Sequence, residues 1–273
     1  MGKRKNEDGK YYRENTGEQH EETGKIEGKN PVLEALKADR TINRIYIEKG
    51  SKDPVLEKIY AVARGKGIVV SYVEKSRLDQ LSETRNHQGV IADVAPYSYA
   101  DVEDILEKAR NLNQPPLILI LDGITDPNNL GSIVRTAECA GVHGIILPKR
   151  RAAALTPVVA KVAAGAAEYI PIARVTNLTR TIQDLKEAGL WIAGADMHGE
   201  TDYSEYDYKS PLAIVIGSEG EGISRLVREN CDVLIRIPMF GKINSLNAAI
   251  AAALIVFKAA EKRAEAGIIS YDK

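Results

Sequence analysis

The chain has 273 residues, of which 44% are hydrophobic, so it is long enough to bury the core of one large domain or two smaller ones. Lys and Arg total 37 against 38 for Asp and Glu, a balance that argues mildly against a nucleic-acid partner, although a basic face can coexist with an acidic remainder. The two cysteines form no CxxC pair and, with the scattered histidines, no metal site, which favours a reducing cytoplasm over a secreted scaffold. The longest apolar run, residues 246–257, is too short to span a bilayer, so a soluble protein without a membrane partner is expected.

The N-terminal region divides into a tail and a small domain. Residues 1–24 are polar and almost free of aliphatic side chains, so they cannot offset their ordering entropy, and a disordered tail is predicted. Asn30 followed by Pro31 is typical of a helix N-cap with proline at the first helical position. Strands are then predicted at 44–48, 68–73 and 89–94, with helices at 54–64 and 75–81 between them. This alternation predicts a small α/β domain over residues 25–95.

A second, larger α/β domain is predicted beyond a linker. Residues 96–115 are expected to connect the two domains and to contain one helix. Within residues 116–273, the run Leu117–Leu121 is continuously apolar, as expected of a strand covered on both faces. Further strands are predicted at 145–147, 190–194, 212–216 and 233–237, and Trp191 within one of them is interpreted as a core residue. The pattern predicts a mostly parallel sheet flanked by helices, whose ligand lies at the carboxyl ends of the strands.

The first polar motif, DGITDPNNLGSIVR, follows the strand at 117–121 and leads into a helix near Pro127. Asn129 and Arg135 are six residues apart and are expected near the same end of the structure, and Gly131 leaves room for a close backbone approach. By spacing alone, a ligand site and an ordinary strand–turn–helix connection are equally favoured.

The second motif, IVIGSEGEGIS, also runs from a buried strand into a turn and a helix. Its glycines let backbone groups approach a ligand, but their order is GxxGxG and not the dinucleotide fingerprint. The acidic residues Glu219 and Glu221 would repel a pyrophosphate, so a ribose or a cationic ligand fits better. A tight turn without a ligand is the alternative.

The third motif, IPMFGKINSLNAA, precedes a helix of small residues. Ser245 and Asn247 stand at its start, where N-capping is the simplest role.

In this order, the three motifs resemble those of the SpoU (TrmH-like) RNA 2′-O-ribose methyltransferases of the SPOUT superfamily. The segments GKNPVLEAL and HQGVIADV also resemble the small RNA-binding domain of the branch that acts on ribosomal RNA, which includes the RlmB-type guanosine-2′-O-methyltransferases of 23S rRNA. One departure is that Ala248 and Ala249 follow SLN, where the family usually has Val-Ser. This change keeps the helix small and removes one hydroxyl.

The resemblance implies a C-terminal domain with a deep trefoil knot, S-adenosylmethionine as the methyl donor, and a homodimer with the active site near the subunit interface. The residues implied to bind the cofactor, largely through backbone groups, are Gly217, Ile237, Met239, Leu246 and Ala248. The positions implied in catalysis are Asn129, Arg135, Glu219, Ser245 and Asn247. No metal is implied.

The resemblance places Arg135 at the 2′-hydroxyl that receives the methyl group, with Asn129 as the residue that helps to orient it. A guanidinium is effectively always charged, which makes a general-base role awkward. Stabilisation of the developing alkoxide, or binding of a phosphate, is the alternative role. Both stay open.

The expected partner is RNA and not DNA, with a guanosine of 23S rRNA favoured as the target. The alternatives are the same chemistry on an rRNA adenosine or a tRNA guanosine, and a non-catalytic RNA-binding or ribosome-assembly protein. Candidate RNA contacts are Lys25, Lys29, Asn30, Arg44 and residues 85–88, although for each single residue ordinary solvated surface is the favoured explanation. Within the last segment, His87 is interpreted as a surface or capping histidine.

Overall fold

The computed structural model describes residues 24–38, 40–94, 97–243 and 245–270. The tail predicted at residues 1–24 therefore lies, except for Gly24, outside the described residues. Within the described ranges, no helix combines the length and the apolar character needed to cross a bilayer.

The N-terminal unit is a four-stranded sheet covered by helices. Its elements are β1 (Gly24–Glu27), α1 (Lys29–Lys37), β2 (Ile42–Glu48), α2 (Pro54–Gly65), β3 (Val70–Val73), α3 (Lys75–Leu81) and β4 (Val90–Val94). The strand order is β1-β4-β2-β3, in which β4 is antiparallel to both neighbours and β3 is parallel to β2. Val32, Ile45 and Ile59 are completely buried in its core, which joins α1 and α2 to the sheet.

Several boundaries in this unit differ from the prediction, and two of the differences have a visible cause. Helix α1 begins at Lys29 with Gly28 as its N-cap, and not at Asn30, because the Gln88 side chain accepts a hydrogen bond from the Lys29 amide at 3.1 Å. Strand β3 begins at Val70, because the amide of Ile68 still bonds to the end of α2. Strand β1 was not predicted as a separate element.

The C-terminal unit contains a seven-stranded sheet in which all neighbouring strands are parallel. Its strands are β5 (Leu117–Asp122), β6 (Gly144–Pro148), β7 (Ile172–Val175), β8 (Trp191–Ala195), β9 (Thr201–Asp202), β10 (Leu212–Gly217) and β11 (Val233–Arg236), in the spatial order β7-β6-β5-β10-β8-β11-β9. Its helices are α4 (Val102–Asn111), α5 (Pro127–Cys139), α6 (Pro157–Val162), α7 (Leu178–Glu187), α8 (Arg225–Glu229) and α9 (Ala248–Glu265), with a 3-10 turn at Ala166–Glu168. The predicted mostly parallel sheet is confirmed; the knot stays a prediction.

Alternate residues of β5 explain why this strand is apolar throughout. Leu117, Leu119 and Leu121 belong to the core under α5 and α9, whereas Ile118 and Ile120 belong to the core under α4 and α7. Both faces of the strand are thus covered, as its continuous apolar run predicted. Because α4 packs on the sheet, the predicted linker is not a free connection.

Trp191 corrects one expectation, since its side chain is 57% exposed. It is the first residue of β8, at the amino end of the strand, while the next residue, Ile192, is fully buried. Strand membership was predicted correctly, but the position along the strand decides the exposure.

Helix α9 is anchored by a buried arginine near its C-terminal end. Arg263 is 1% exposed, and its guanidinium donates hydrogen bonds to the carbonyl oxygens of Pro115, Pro116, Tyr208 and Ser210 at 2.5–3.0 Å. Burial lowers the pKa of Arg263 to about 10, so the group stays charged at neutral pH. This contact fixes the helix that begins at the third motif.

Candidate active site

The carboxyl ends of four adjacent strands, β5, β10, β8 and β11, meet at one edge of the large sheet. A cavity of about 550 Å³ opens there, between the loops that follow β8, β10 and β11 and the start of α9. Such an edge is the expected ligand position in an open parallel sheet.

The glycine-rich loop after β10 is closed on itself and forms one wall of this cavity. The amide of Ser218 donates to the carbonyl of Gly222 at 3.1 Å, and the amide of Gly222 donates back at 3.0 Å. A Cβ atom at Gly217 would lie only 2.1 Å from the carbonyl carbon of Gly222. Only glycine therefore fits at position 217, which leaves bare backbone facing the cavity. The Asp122 carboxylate at the end of β5 ties the loop down by accepting from the Ser224 amide at 2.7 Å.

A polar cluster stands at the rim of the cavity and joins the three sequence motifs. The side-chain nitrogen Nδ2 of Asn129, from α5, donates a hydrogen bond to the Glu219 carboxylate at 2.9 Å. The side-chain nitrogen Nδ2 of Asn247 also donates to Glu219, and it donates to the side-chain oxygen of Asn129 at 2.9 Å. Because Glu219 and Asn247 are exposed, the cluster is accessible to a substrate from solvent.

Asn247 has the N-cap role that its position predicted, and a second role as well. Its side-chain oxygen accepts from the amides of Ala249 and Ile250 at 2.9 and 3.2 Å. This cap fixes the side chain so that its nitrogen points to Glu219. Asn247 thus caps α9 and belongs to the polar cluster at the same time.

The residues expected to hold the cofactor lie around the same cavity, namely Gly217, Ile237, Met239, Leu246 and Ala248, together with Ser245 and Glu219 from the catalytic set. These residues come from the second and third motifs, which are apart in sequence, and the sheet brings them together. Their individual roles stay predictions.

Arg135 is the predicted site residue that the structure does not bring to the cluster. It lies six positions after Asn129 in α5, which is roughly 9 Å along a helix axis. The side chain is exposed and does not line the cavity. The role expected of Arg135 at the 2′-hydroxyl stays a prediction.

The lining residues that the sequence interpretation missed include Asp196, Met197 and His198. They follow β8, and Asp196 forms an ion pair with Arg228 at 3.2 Å. Because β8 was predicted and ligands bind at carboxyl ends, the position just after the strand was the signal that could have found them.

Comparison with known proteins agrees with this geometry. The model of the SpoU rRNA methylase family matches residues 116–257, and the model for RNA 2′-O ribose methyltransferase substrate binding matches residues 25–100. The chain belongs to the SpoU rRNA methylase family. The resemblance seen in the three motifs is confirmed, and with it the class of RNA methyltransferases.

Similar proteins cover most of the chain. A relative in Bacillus subtilis (strain 168), the putative TrmH family tRNA/rRNA methyltransferase YacO, is 47% identical over 88% of this chain and 96% of its own length. The crystal structure of the SpoU methyltransferase AviRb from Streptomyces viridochromogenes, in complex with AdoMet, is 26% identical with a TM-score of 0.75 and covers 88% of this chain and 89% of that one. An AdoMet-bound rRNA methyltransferase from Sinorhizobium meliloti is 28% identical, with a TM-score of 0.71 over 88% of this chain and 87% of its own.

The residues around the cavity fit S-adenosylmethionine. A volume of about 550 Å³ lies within the range of small-ligand pockets, and the bare backbone at Gly217 offers hydrogen-bonding groups without a side chain in the way. Glu219 and Glu221 supply negative charge near a ligand that carries a sulfonium. Within the described part of the chain, no group of His, Cys, Asp and Glu is arranged to hold a metal ion.

Proposed function

We propose that this protein transfers a methyl group from S-adenosylmethionine to the 2′-hydroxyl of a guanosine ribose in 23S rRNA, in the cytoplasm. The observation that carries the proposal is the cluster of Asn129, Glu219 and Asn247 at the rim of the cavity, where the three motifs converge. The two free thiols, Cys139 and Cys231, suit a reducing compartment.

Each residue of the cluster has a definable task. Glu219 accepts hydrogen bonds from both amides, so Asn129 and Asn247 are held in one orientation at the open side of the cavity. When bound, the cofactor supplies a methyl group made electrophilic by the sulfonium. Holding a ribose hydroxyl in line with that methyl can lower the barrier by ~7 kcal/mol or more. The charged Arg135 then binds a phosphate or stabilises the developing alkoxide.

The same chemistry on tRNA is the second candidate, since the relatives carry both substrates in their names. Ribosomal RNA is favoured here because the substrate-binding model covers residues 25–100 and because this region resembles the rRNA branch.

The direct test measures transfer of labelled methyl from S-adenosylmethionine to protein-free 23S rRNA and to tRNA in parallel. Modified positions are then mapped by the resistance of the 2′-O-methylated linkage to alkaline cleavage. We expect one guanosine of 23S rRNA to be labelled and tRNA to stay unlabelled. Labelling of tRNA alone would overturn the rRNA assignment, and near-normal turnover of Arg135→Ala at saturating substrates would overturn the role of Arg135.

We further propose a homodimer whose interface includes α9. Ile250, Leu254 and Phe257 follow one another at helical spacing and are 40–52% exposed on one face of this helix. Asn247 caps the same helix, so the apolar face and the polar cluster lie on one element. Packing a second copy here would bury this face, which water otherwise covers.

Light scattering after gel filtration tests the dimer. Wild type should elute at twice the chain mass, and Phe257→Glu should shift the equilibrium toward the monomer. A wild-type protein that is monomeric at high concentration would contradict the proposal.

A further inference from the structure

A second cavity, of about 550 Å³, lies in the N-terminal unit, beside the segment of residues 82–88 that we call the RNA loop. Its lining includes the cations Lys29, Lys75 and Arg85, the amides Asn86 and Gln88, and the carboxylates Glu48, Asp53 and Asp79. Two of the carboxylates are engaged, because Asp53 pairs with Lys29 and Asp79 with the ring of His87. With these pairs set aside, the lining keeps Lys75, Arg85 and the two amides against the single carboxylate of Glu48. This excess of cations over free carboxylates, together with the amides, suits a nucleic-acid strand, which presents phosphates and base donors and acceptors.

The RNA loop has an unusual backbone. Arg85 and Gln88 have φ angles of 56° and 52°, in the left-handed region that non-glycine residues seldom adopt. Such residues are strained and persist only where the surroundings hold them. His87, expected as a surface or capping residue, is 5% exposed, and its ring accepts from the Gly89 amide at 3.0 Å. The buried side chain of His87 therefore anchors the loop to the domain.

Glu27, at the end of β1, is the main internal support of the loop. Its side chain is completely buried, and its carboxylate accepts hydrogen bonds from the Ser82 hydroxyl at 2.6 Å, from the Glu83 amide at 2.5 Å and from both the amide and the hydroxyl of Thr84. Burial by itself raises the pKa of Glu27, but these hydrogen bonds outweigh it, and the pKa lies below its usual value. The carboxylate is thus ionised at neutral pH and keeps all its donors.

A lysine of the other unit contacts the same loop. The ammonium of Lys161, on α6, donates to the Thr84 hydroxyl at 3.2 Å and to the Asn86 carbonyl at 3.0 Å. Through Lys161, the methyltransferase unit contacts Asn86, which lines the second cavity.

Helix α6 in turn packs tightly on α5, the helix of the first motif. A Cβ atom at Gly131 would lie 2.6 Å from the Cβ of Val162 and 3.0 Å from the carbonyl oxygen of Val159. Gly131 thus lets α6 lie directly against α5. The contacts run without a break from the RNA loop through Lys161 and α6 to the helix that carries Asn129 and Arg135.

We propose that the second cavity holds the substrate RNA. In this proposal Glu27 and Lys161 are positioning residues that hold the RNA loop at a fixed position relative to α5. The inference rests on the proposed function for the identity of the RNA. Hydrogen bonds, and not only the covalent connection between the two units, then fix the position of a bound strand relative to α5, the helix that carries Asn129 and Arg135.

Two measurements that need no methyl transfer test this inference, so a failure of the proposed activity would be seen separately. The first is amide hydrogen exchange of residues 82–88 in the free protein. The second is the dissociation constant for protein-free 23S rRNA, measured by filter binding at one fixed salt concentration because phosphate contacts are strongly salt-dependent. The variants are Glu27→Gln, Lys161→Met, Lys161→Arg and Arg85→Ala. The controls are Glu57→Gln and Lys58→Met, which are exposed on α2 and do not line the cavity.

We expect exchange in the RNA loop to speed up about tenfold in Glu27→Gln and severalfold in Lys161→Met, with recovery in Lys161→Arg. The dissociation constant should rise about tenfold in Glu27→Gln and Arg85→Ala, and the controls should match wild type. If Glu27→Gln fails to fold, Lys161→Met and Arg85→Ala, which changes an exposed side chain, decide the matter. Wild-type exchange in Lys161→Met, or wild-type RNA affinity in Arg85→Ala, would overturn the inference.

Discussion

Replacing Gly217 with alanine places a methyl group inside the wall of the cofactor cavity. The new Cβ atom would lie 2.1 Å from the carbonyl carbon of Gly222 and 2.3 Å from the amide nitrogen of Ile223, whereas ordinary contacts begin near 3.4 Å. Both neighbours are backbone atoms, so no side chain can rotate away. The loop must retreat by roughly 1 Å, and overpacking of this kind costs ~1–3 kcal/mol.

This cost must lower either the affinity for S-adenosylmethionine or the free energy of unfolding. If the loop moves, its hydrogen bonds between Ser218 and Gly222 break and the cavity wall is lost, so affinity for S-adenosylmethionine falls by roughly 5- to 100-fold. If the loop does not move, the strain lowers the free energy of unfolding by the same amount. Isothermal titration calorimetry and urea unfolding on the same preparation measure both.

Gly220→Ala is the matched control within the same loop. A Cβ atom at Gly220 has no protein neighbour within 4 Å, so this variant, although Gly220 also lines the cavity, should unfold like wild type. The reasoning is refuted if Gly217→Ala and Gly220→Ala give the same affinity and the same unfolding free energy.

Three further predictions concern other parts of the site and the core. Glu219→Ala should lower kcat/KM by about 10- to 100-fold in a methyl-transfer assay, because hydrogen bonds to a charged group contribute ~1.5–3 kcal/mol, and an unchanged value would contradict the role of the cluster. Burial, with the charges of Arg263 and Lys108, lowers the pKa of His143 from 6.5 to about 4. The folded state therefore favours the neutral imidazole, whose contribution to stability is complete above pH 6.5 and is lost as the pH falls toward 4. This loss amounts to roughly 3 kcal/mol, so urea unfolding of His143→Gln should change less between pH 7 and pH 4 than that of wild type, and equal pH dependence would contradict it. Arg263→Met should lower the unfolding free energy by ~3 kcal/mol or more, because the four carbonyls around the buried guanidinium each lose a hydrogen-bond donor, whereas the neighbouring Lys262→Met should have little effect.

The sheet of the C-terminal unit could be predicted because its signal is local. The apolar runs at β5 and β10 are covered on both faces, and each ends in a polar or glycine-rich motif. A buried parallel strand needs such a composition, and the ligand position at its carboxyl end follows from topology. The convergence of the motifs around one cavity was therefore predictable.

Other features depend on contacts that are distant in sequence and could not be predicted locally. The start of α1 is set by Gln88, which is 59 residues away, and the ion pair of Asp196 with Arg228 requires the sheet to be assembled. The exposure of Trp191 depends on which helices cover the sheet at the amino end of β8. The distance between Arg135 and the polar cluster likewise follows from the length of helix between them and not from the motif.

The central claim is that the methyl group reaches a ribose 2′-oxygen, and nucleoside analysis of labelled RNA tests it most directly. Protein-free 23S rRNA is incubated with wild-type protein and labelled S-adenosylmethionine, digested completely to nucleosides, and separated by chromatography. The account predicts that the label elutes with 2′-O-methylguanosine. Label on a base, or no label in RNA that the protein binds, would contradict it.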